Sequence, residues 1–373
     1  MPYKFALHKY FLSVSQRPYD VFETDMGACS CVKPAARLIK ANSEYLSWYF
    51  ALQRRNSDNL IYITTMIPQE EDTRNSPAVA IHTIILALSA IFALVGNSLV
   101  CLAFYRNRRL RTVTNIYVLS LAVADIMGSA LMPFSAVASG HRAWPFNFIF
   151  CQFCGFTAYL WGAMSINILA LTAANRYICI VKPYLYPTLF TMKKTVLSIL
   201  LFLLLTLTAC LTATLATPIL FQWHPLYLTC EVAELEIQAG VSKNSVGFVG
   251  LAMSLIIFCY GSVYRTIKQH NAAVNPSLQD TTSQATVSLR EIQASRVLLA
   301  TVIGFAVCWI PVTIGRILER DANSAILSSM LSFSALFAAF SSWINPVIYG
   351  VMNRAMRKEF LKLLHCRSKT GNR

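Results

Sequence analysis

Charge is what this chain has least of. Of its 373 residues, 13% are Asp, Glu, Lys or Arg and 55% are hydrophobic. So little charge excludes an ordinary soluble domain and points to a membrane protein. Acids are the scarcer sign, 17 against 32 basic residues. Residues 1–78 have no basic stretch leading into an apolar core, so no cleavable signal peptide is predicted. They also lack an Asn-x-Ser/Thr acceptor: Asn42, Asn56 and Asn75 are each followed directly by Ser, one position too early.

What the chain does have is apolar length. Runs of roughly 20 residues, enough for a bilayer core of about 30 Å, recur seven times. They lie near Val79–Phe104, Thr114–Ala138, Phe148–Val181, Thr195–Phe221, Asn244–Tyr264, Val297–Ile317 and Ala325–Val351. The fourth is the clearest, with no charge from Thr195 to Gln222. Only helices or closed barrels satisfy backbone groups in lipid, and runs this long and apolar are helices. The expected fold is an all-α membrane protein, a bundle of seven transmembrane helices.

The net charge of +15 could suggest nucleic acid, but its distribution is that of a topology signal. Arg106, Arg108, Arg109 and Arg111 follow span one. Lys182, Lys193 and Lys194 lie between spans three and four, and Arg265, Lys268, Arg290 and Arg296 between five and six. Arg354, Arg357, Lys358 and Lys362 follow span seven. The opposite loops carry Glu231, Glu234, Glu236, Glu319 and Asp321. The basic side is therefore expected in the cytoplasm, with the N-terminus outside, the C-terminus inside and no nucleic-acid partner. The expected divisions are a disordered extracellular tail (1–78), a seven-span domain (79–351) and a cytoplasmic helix and tail (352–373). In the last, Met356, Phe360, Leu363 and Leu364 fall on one helical face with cations opposite, the pattern of a short helix lying on membrane lipid. Cys366 at its end is a candidate for lipidation.

Arg176 stands at the end of span three, in Asn175-Arg176-Tyr177. An ionisable residue there either snorkels to headgroups or serves a function. Four further motifs favour the functional reading. They are Gly96-Asn97, Leu121-Ala-Val-Ala-Asp125, Cys308-Trp309-Ile310-Pro311 and Asn345-Pro346-Val347-Ile348-Tyr349. In this order and in these spans they resemble the rhodopsin-like, class A G-protein-coupled receptors, from Gly96 to Phe360. The resemblance implies a non-enzymatic receptor at the plasma membrane that takes an extracellular ligand. It further implies coupling to a heterotrimeric G protein, with arrestin as a second cytoplasmic partner.

Asp125 sits among apolar residues in mid-span, where a charge costs about 2.5–3.5 kcal/mol on insertion scales. Asn97, Ser165 and Asn345 are polar residues of other spans at matching depth. Carboxylate, hydroxyl and amide oxygens suit a small hard cation, and the resemblance implies an allosteric sodium ion at Asp125 that favours the resting state. A hydrated polar network is the alternative. No other cofactor is expected. Pro311 and Pro346 each remove a helical hydrogen bond and permit a bend. The resemblance implies that ligand contact near Trp309, with Phe305 below it, swings the inner half of span six outward. Arg176, Tyr177, Tyr260 and Tyr349 then rearrange around the crevice so opened. Glu291, at the inner end of span six, has the place and sign to hold Arg176 at rest. Many relatives have Asp before the arginine; with Asn175 there, the hold is expected to fall mainly on Glu291 and basal activity to be appreciable.

Among 11 cysteines, the resemblance implies a disulfide between Cys151 and Cys230, with Trp144 packed near it. Cys154, Cys179, Cys210, Cys259 and Cys308 read as free, small apolar residues. The span-three position where amine receptors place an acid is Ala158, and Phe148–Ala174 contains no Asp or Glu. Span seven lacks the lysine on which opsins carry retinal. Within the class, Tyr105-Arg-Asn-Arg-Arg-Leu-Arg111, Asn115–Asp125 and Phe258-Cys-Tyr260 look most like melatonin receptors. The melatonin pocket itself is not repeated: its asparagine and histidine align near Ala213 and Phe248, the usual span-four tryptophan with Leu203 and the usual span-five proline with Ala252. The expected ligand is a small non-amine molecule in a pocket near Ala158, Phe248 and Trp309, with a peptide as alternative and an inhibitory-type G protein downstream. A transporter or channel is the reading from another class; the odd number of spans and absence of a repeat weigh against it. An intramembrane zinc hydrolase lacks its ligands, since the six histidines lie outside the span interiors.

Overall fold

The computed structural model describes residue 72, 74–216, 221–232, 235–273, 289–318 and 325–366. These lie within one compact unit, Thr64–Arg373. The expected tail falls outside the described residues except for its last few, which pack on the bundle. There the Arg74 guanidinium contacts the Asp72 carboxylate at 2.6 Å and donates to His82 Nδ1 at 3.0 Å.

Among the described residues, seven helices are long and apolar enough to cross a membrane. Span one is Ser76–Arg106, span three Phe148–Val181, span four Met192–Ala216, span five Leu235–Ala273, span six Leu289–Leu318 and span seven Ala325–Met352. Span two is two helices, Val113–Ser129 and Met132–His141, and not the single run expected. Pro133 in the first turn of the second lacks the N–H to continue the first, so the break falls at Ala130–Leu131. Short polar side chains start the spans: Asn75, Thr112 and Asn147 each accept a backbone N–H of the first turn.

The fourth run needs a larger correction. The helix ends at Ala216, and Phe221, expected to close it, opens a hairpin of β1 (Phe221–His224) and antiparallel β2 (Thr229–Val232). Trp223 pairs with Cys230, and Leu228 takes a left-handed φ of 56° near the turn. Lack of charge hid this change, because an apolar run does not by itself distinguish helix from strand.

Neighbouring spans form a ring: one on two, two on three, three on five, five on six, six on seven and seven on one. Span four packs against span three. Gly96 allows spans one and seven to close, since a Cβ there would lie 2.9 Å from the Pro346 ring. Large apolar side chains such as Ile84, Ile91, Leu197 and Leu200 point outward, while Asn97, Asp125, Ser165, Arg176 and Asn345 are buried inside. That inversion suits lipid as the outer solvent.

A final helix, Arg354–Cys366, follows span seven, capped by Asn353, whose Oδ1 accepts from the N–H groups of Ala355 and Met356. Met356 is fully buried, and Phe360 lies beside Gly350. Asn107, in the turn after span one, donates to Glu359 Oε1 at 3.1 Å, and Lys362 Nζ lies 2.8 Å from the same oxygen. The Lys362 contact first, then the Asn107 bond and the nearby Arg106 charge, hold the Glu359 carboxyl below its ordinary value against the opposing effect of burial. The side chain of Cys366 lies outside the described residues.

Candidate receptor switch and ligand site

Arg176 has no exposed surface, so it does not snorkel. Its Nη1 donates to Glu291 Oε2 at 2.6 Å, joining span three to span six. Its Nε and Nη2 both donate to Asn175 Oδ1, at 3.1 and 2.6 Å. Nη2 also donates to Thr114 Oγ1 in span two. The expectation that the hold falls mainly on Glu291 is thus refined. The Asn175 amide oxygen takes the place of a carboxylate as acceptor but brings no charge, so Glu291 supplies the one formal countercharge in the set. Glu291 is also the wet partner, its side chain 39% exposed. Tyr177 faces span five, its ring 5.6 Å from that of Phe258. Tyr260 and Tyr349 are buried nearby, their hydroxyls without a hydrogen-bond partner among the described residues.

Asp125 is buried and accepts two N–H bonds. Asn345 Nδ2 donates to Oδ2 at 2.9 Å, and Trp161 Nε1 donates to Oδ1 at 3.3 Å. Asn97 donates instead to backbone, to Ala93 O at 2.9 Å and Ser342 O at 2.8 Å. The buried oxygens Asn97 Oδ1, Ser165 Oγ and Asn345 Oδ1 lack a hydrogen-bond partner among the described residues. In donor type this set fits a small hard cation.

Trp161 was missed from the sequence. It lies one helical turn from Ser165 and so shares its face, and an indole N–H in a span needs a partner; those two facts were the available signal. Gly128 makes room for it, since a Cβ there would lie 2.6 Å from the indole. On its other side Trp161 meets Trp309, ring centroids 5.6 Å apart, and Trp309 stacks on Phe305 at 5.5 Å. Trp309 Nε1 donates to Ser341 Oγ in span seven at 3.2 Å. Aromatic contact therefore runs unbroken from Phe305 through Trp309 to Trp161, which bonds to the carboxylate. Pro311 lies inside span six just past Trp309, and Pro346 inside span seven just past Asn345.

Above Trp309, Gly162 brings span three so close that a Cβ there would lie 3.1 Å from the indole. Ala158, a turn further along, is half-buried. The side chain of Phe248 lies outside the described residues. Cys151 and Cys230 form a disulfide with Cα atoms 5.7 Å apart, pinning the hairpin to the end of span three. Gln152 strengthens the join, its Nε2 donating to Phe221 O at 2.6 Å and its Oε1 accepting Phe221 N–H at 2.9 Å. Tyr227, near the hairpin turn, packs against Leu331 of span seven, so the hairpin crosses the mouth of the bundle. Trp144 stacks on Trp223 at 6.0 Å beside the disulfide. Cys154, Cys179, Cys210, Cys259 and Cys308 are free thiols.

These features match known receptors over most of the chain. Residues 96–349 match the family model described as 7 transmembrane receptor (rhodopsin family). The histamine H2 receptor of Homo sapiens is 26% identical over 299 residues, 78% of this chain and 81% of that protein. Melatonin receptor type 1A of Gallus gallus is 27% identical over 315 residues, 80% and 86% of the two chains. Melatonin receptor type 1C of Gallus gallus is 29% identical over 287 residues, 75% and 80%. A crystal structure of squid rhodopsin shares the fold with a TM-score of 0.67, at 18% identity over 79% of this chain and 89% of that one. The chain belongs to the rhodopsin family of seven-transmembrane receptors, non-enzymatic multi-pass membrane proteins.

Proposed function

We propose that this receptor binds a small non-amine ligand at the disulfide end and activates a heterotrimeric G protein at the Arg176 end. The observation that carries the reading is the buried Arg176, held across a helix seam by Glu291. A buried cation tied to a movable neighbour by a half-wet contact is a two-state element, and whatever separates spans three and six biases it. The basic loops beside Arg176 support a cytoplasmic position for that end, and the disulfide supports an outer position for the other.

Ligand contact at Trp309 has a physical route to that latch. The tryptophan is bonded to span seven, stacked within span six and packed on span three through Trp161. Pro311 leaves span six short of one backbone bond at that depth, so bending there is cheap. Outward movement of its inner half parts Glu291 from Arg176 and opens a crevice beside Tyr260 and Tyr349 for a G protein, and later arrestin.

Ala158 and the acid-free span three favour a non-amine ligand. The histamine and melatonin receptors matched are named for two different ligands, so likeness alone does not choose one. Sodium at Asp125, held by Asn97, Ser165 and Asn345, belongs to the proposal as an allosteric ligand; it would supply a positive charge that the carboxylate lacks. The final helix lies along the inner membrane surface, with Leu361 and Leu364 exposed for lipid. The test is GTPγS uptake in membranes with G protein added, for wild type and Arg176→Ala, across a ligand panel of indoles, lipids and peptides. Ligand-dependent uptake lost in the variant is expected, most strongly with an inhibitory-type G protein. Ion flux without any uptake would overturn the reading.

A further inference from the structure

The indole N–H of Trp161 is directed at an oxygen of Asp125, the carboxylate that would hold a cation. We infer that the Trp161 N–H is a built-in competitor of sodium, and that it sets how weakly this receptor responds to the ion. This rests on the sodium reading above and adds a residue to it.

Several observations converge. Trp161 Nε1 donates to Asp125 Oδ1 at 3.3 Å, and Asn345 already engages Oδ2. Both carboxylate oxygens therefore receive positive hydrogen. A cation binding to Oδ1 must displace or crowd a donor aimed at the same atom, and like-signed partial charges repel at that range in a low-dielectric interior. The indole does not leave easily. Gly128 on one side and Trp309 on the other confine it, and its residue is 7% exposed. Meanwhile Asn97 Oδ1, Ser165 Oγ and Asn345 Oδ1 keep buried acceptor capacity that no described group uses. The site thus has the oxygens of a cation site and a resident donor on its carboxylate. Because Trp161 also touches Trp309, the competitor is mechanically joined to the residue through which ligand acts. A ligand that shifts Trp309 changes how firmly the N–H covers Asp125.

Trp161→Phe is the informative variant, since it keeps an aromatic ring against Gly128 and Trp309 and removes the N–H. The readout is thermal stability of the purified receptor titrated with NaCl against choline chloride at equal ionic strength, with Asp125→Asn as the control that abolishes the ion effect. A hydrogen bond to a charged group corresponds to about a tenfold change or more in an equilibrium. The half-effect sodium concentration should therefore fall at least about tenfold in Trp161→Phe. Equal sodium dependence in wild type and variant would overturn the inference. If the variant does not fold, wild type labelled with 5-fluorotryptophan serves. Sodium that stabilises the protein must then move the Trp161 resonance, assigned by replacing the other five of the six tryptophans. Stabilisation with that resonance unmoved would overturn it equally. Neither readout involves a G protein, so a negative result here leaves the signalling test above untouched.

Discussion

Replacing Glu291 by Ala should raise basal signalling, and the structure sets the size of the effect. The variant removes the charge-assisted contact of Arg176 Nη1 with Glu291 Oε2 at 2.6 Å, and with it the weak donation from Cys179 Sγ to the same oxygen at 3.6 Å. Hydrogen bonds to charged groups are worth about 1.5–3 kcal/mol when dry. Glu291 is 39% exposed, so water competes and the value falls to about 1 kcal/mol, the upper end for exposed pairs. Arg176 keeps Asn175 and Thr114 as acceptors, which limits the loss further. About 1 kcal/mol multiplies the active-to-resting ratio roughly fivefold. The assay is ligand-free GTPγS uptake at matched surface expression. Asn175→Asp should act the other way, adding a charge where an amide already accepts two bonds, and lower the basal rate. Unchanged basal uptake in a well-expressed Glu291→Ala receptor would refute the latch, because the contact would then exist in both states or in neither.

Gly155→Val should destabilise the disulfide end, since any Cβ there overlaps the Phe221 ring; overpacking of this kind costs about 1–3 kcal/mol, read as a lowered Tm in detergent. The docking of the final helix should weaken in acid. The Glu359 carboxyl is held below its ordinary value of 4.5 by Lys362 and Asn107. A depressed carboxylate contributes its full stability above the unfolded value and loses it as pH falls through the folded one. Protection of the amides in Arg354–Cys366, taken relative to the intrinsic exchange rate at each pH, should therefore fall below about pH 4.5 in wild type, and Glu359→Gln should remove that dependence.

Much of the site was legible because its residues break a rule. Asp125, Arg176, Asn97 and Asn345 are polar groups in spans that should be apolar, and each proves buried and engaged. The missed members obey their local pattern. Thr114 reads as an ordinary start-of-span residue, and Trp161 as one more large apolar side chain. Only its N–H sets it apart, and which acceptor takes that N–H depends on a neighbouring helix.

Sequence alone determined the number of spans, most of their limits and which charged residues, Asp125 and Arg176, stand within them. Hydropathy over about 20 residues is a one-dimensional quantity, and lipid enforces helix wherever it is high. It did not determine where span four stops, why span two breaks, or what shares the burden of Arg176. The hairpin at Phe221–Val232 exists because Cys151 and Gln152 of span three give its strand partners, and those partners are 69 or more residues away. Packing also decided that Trp161 lies against Asp125, since the slot is made by Gly128 of one helix and Trp309 of another. Contacts between residues so far apart in the chain are made by the way helices pack, and that is known only once the bundle has closed.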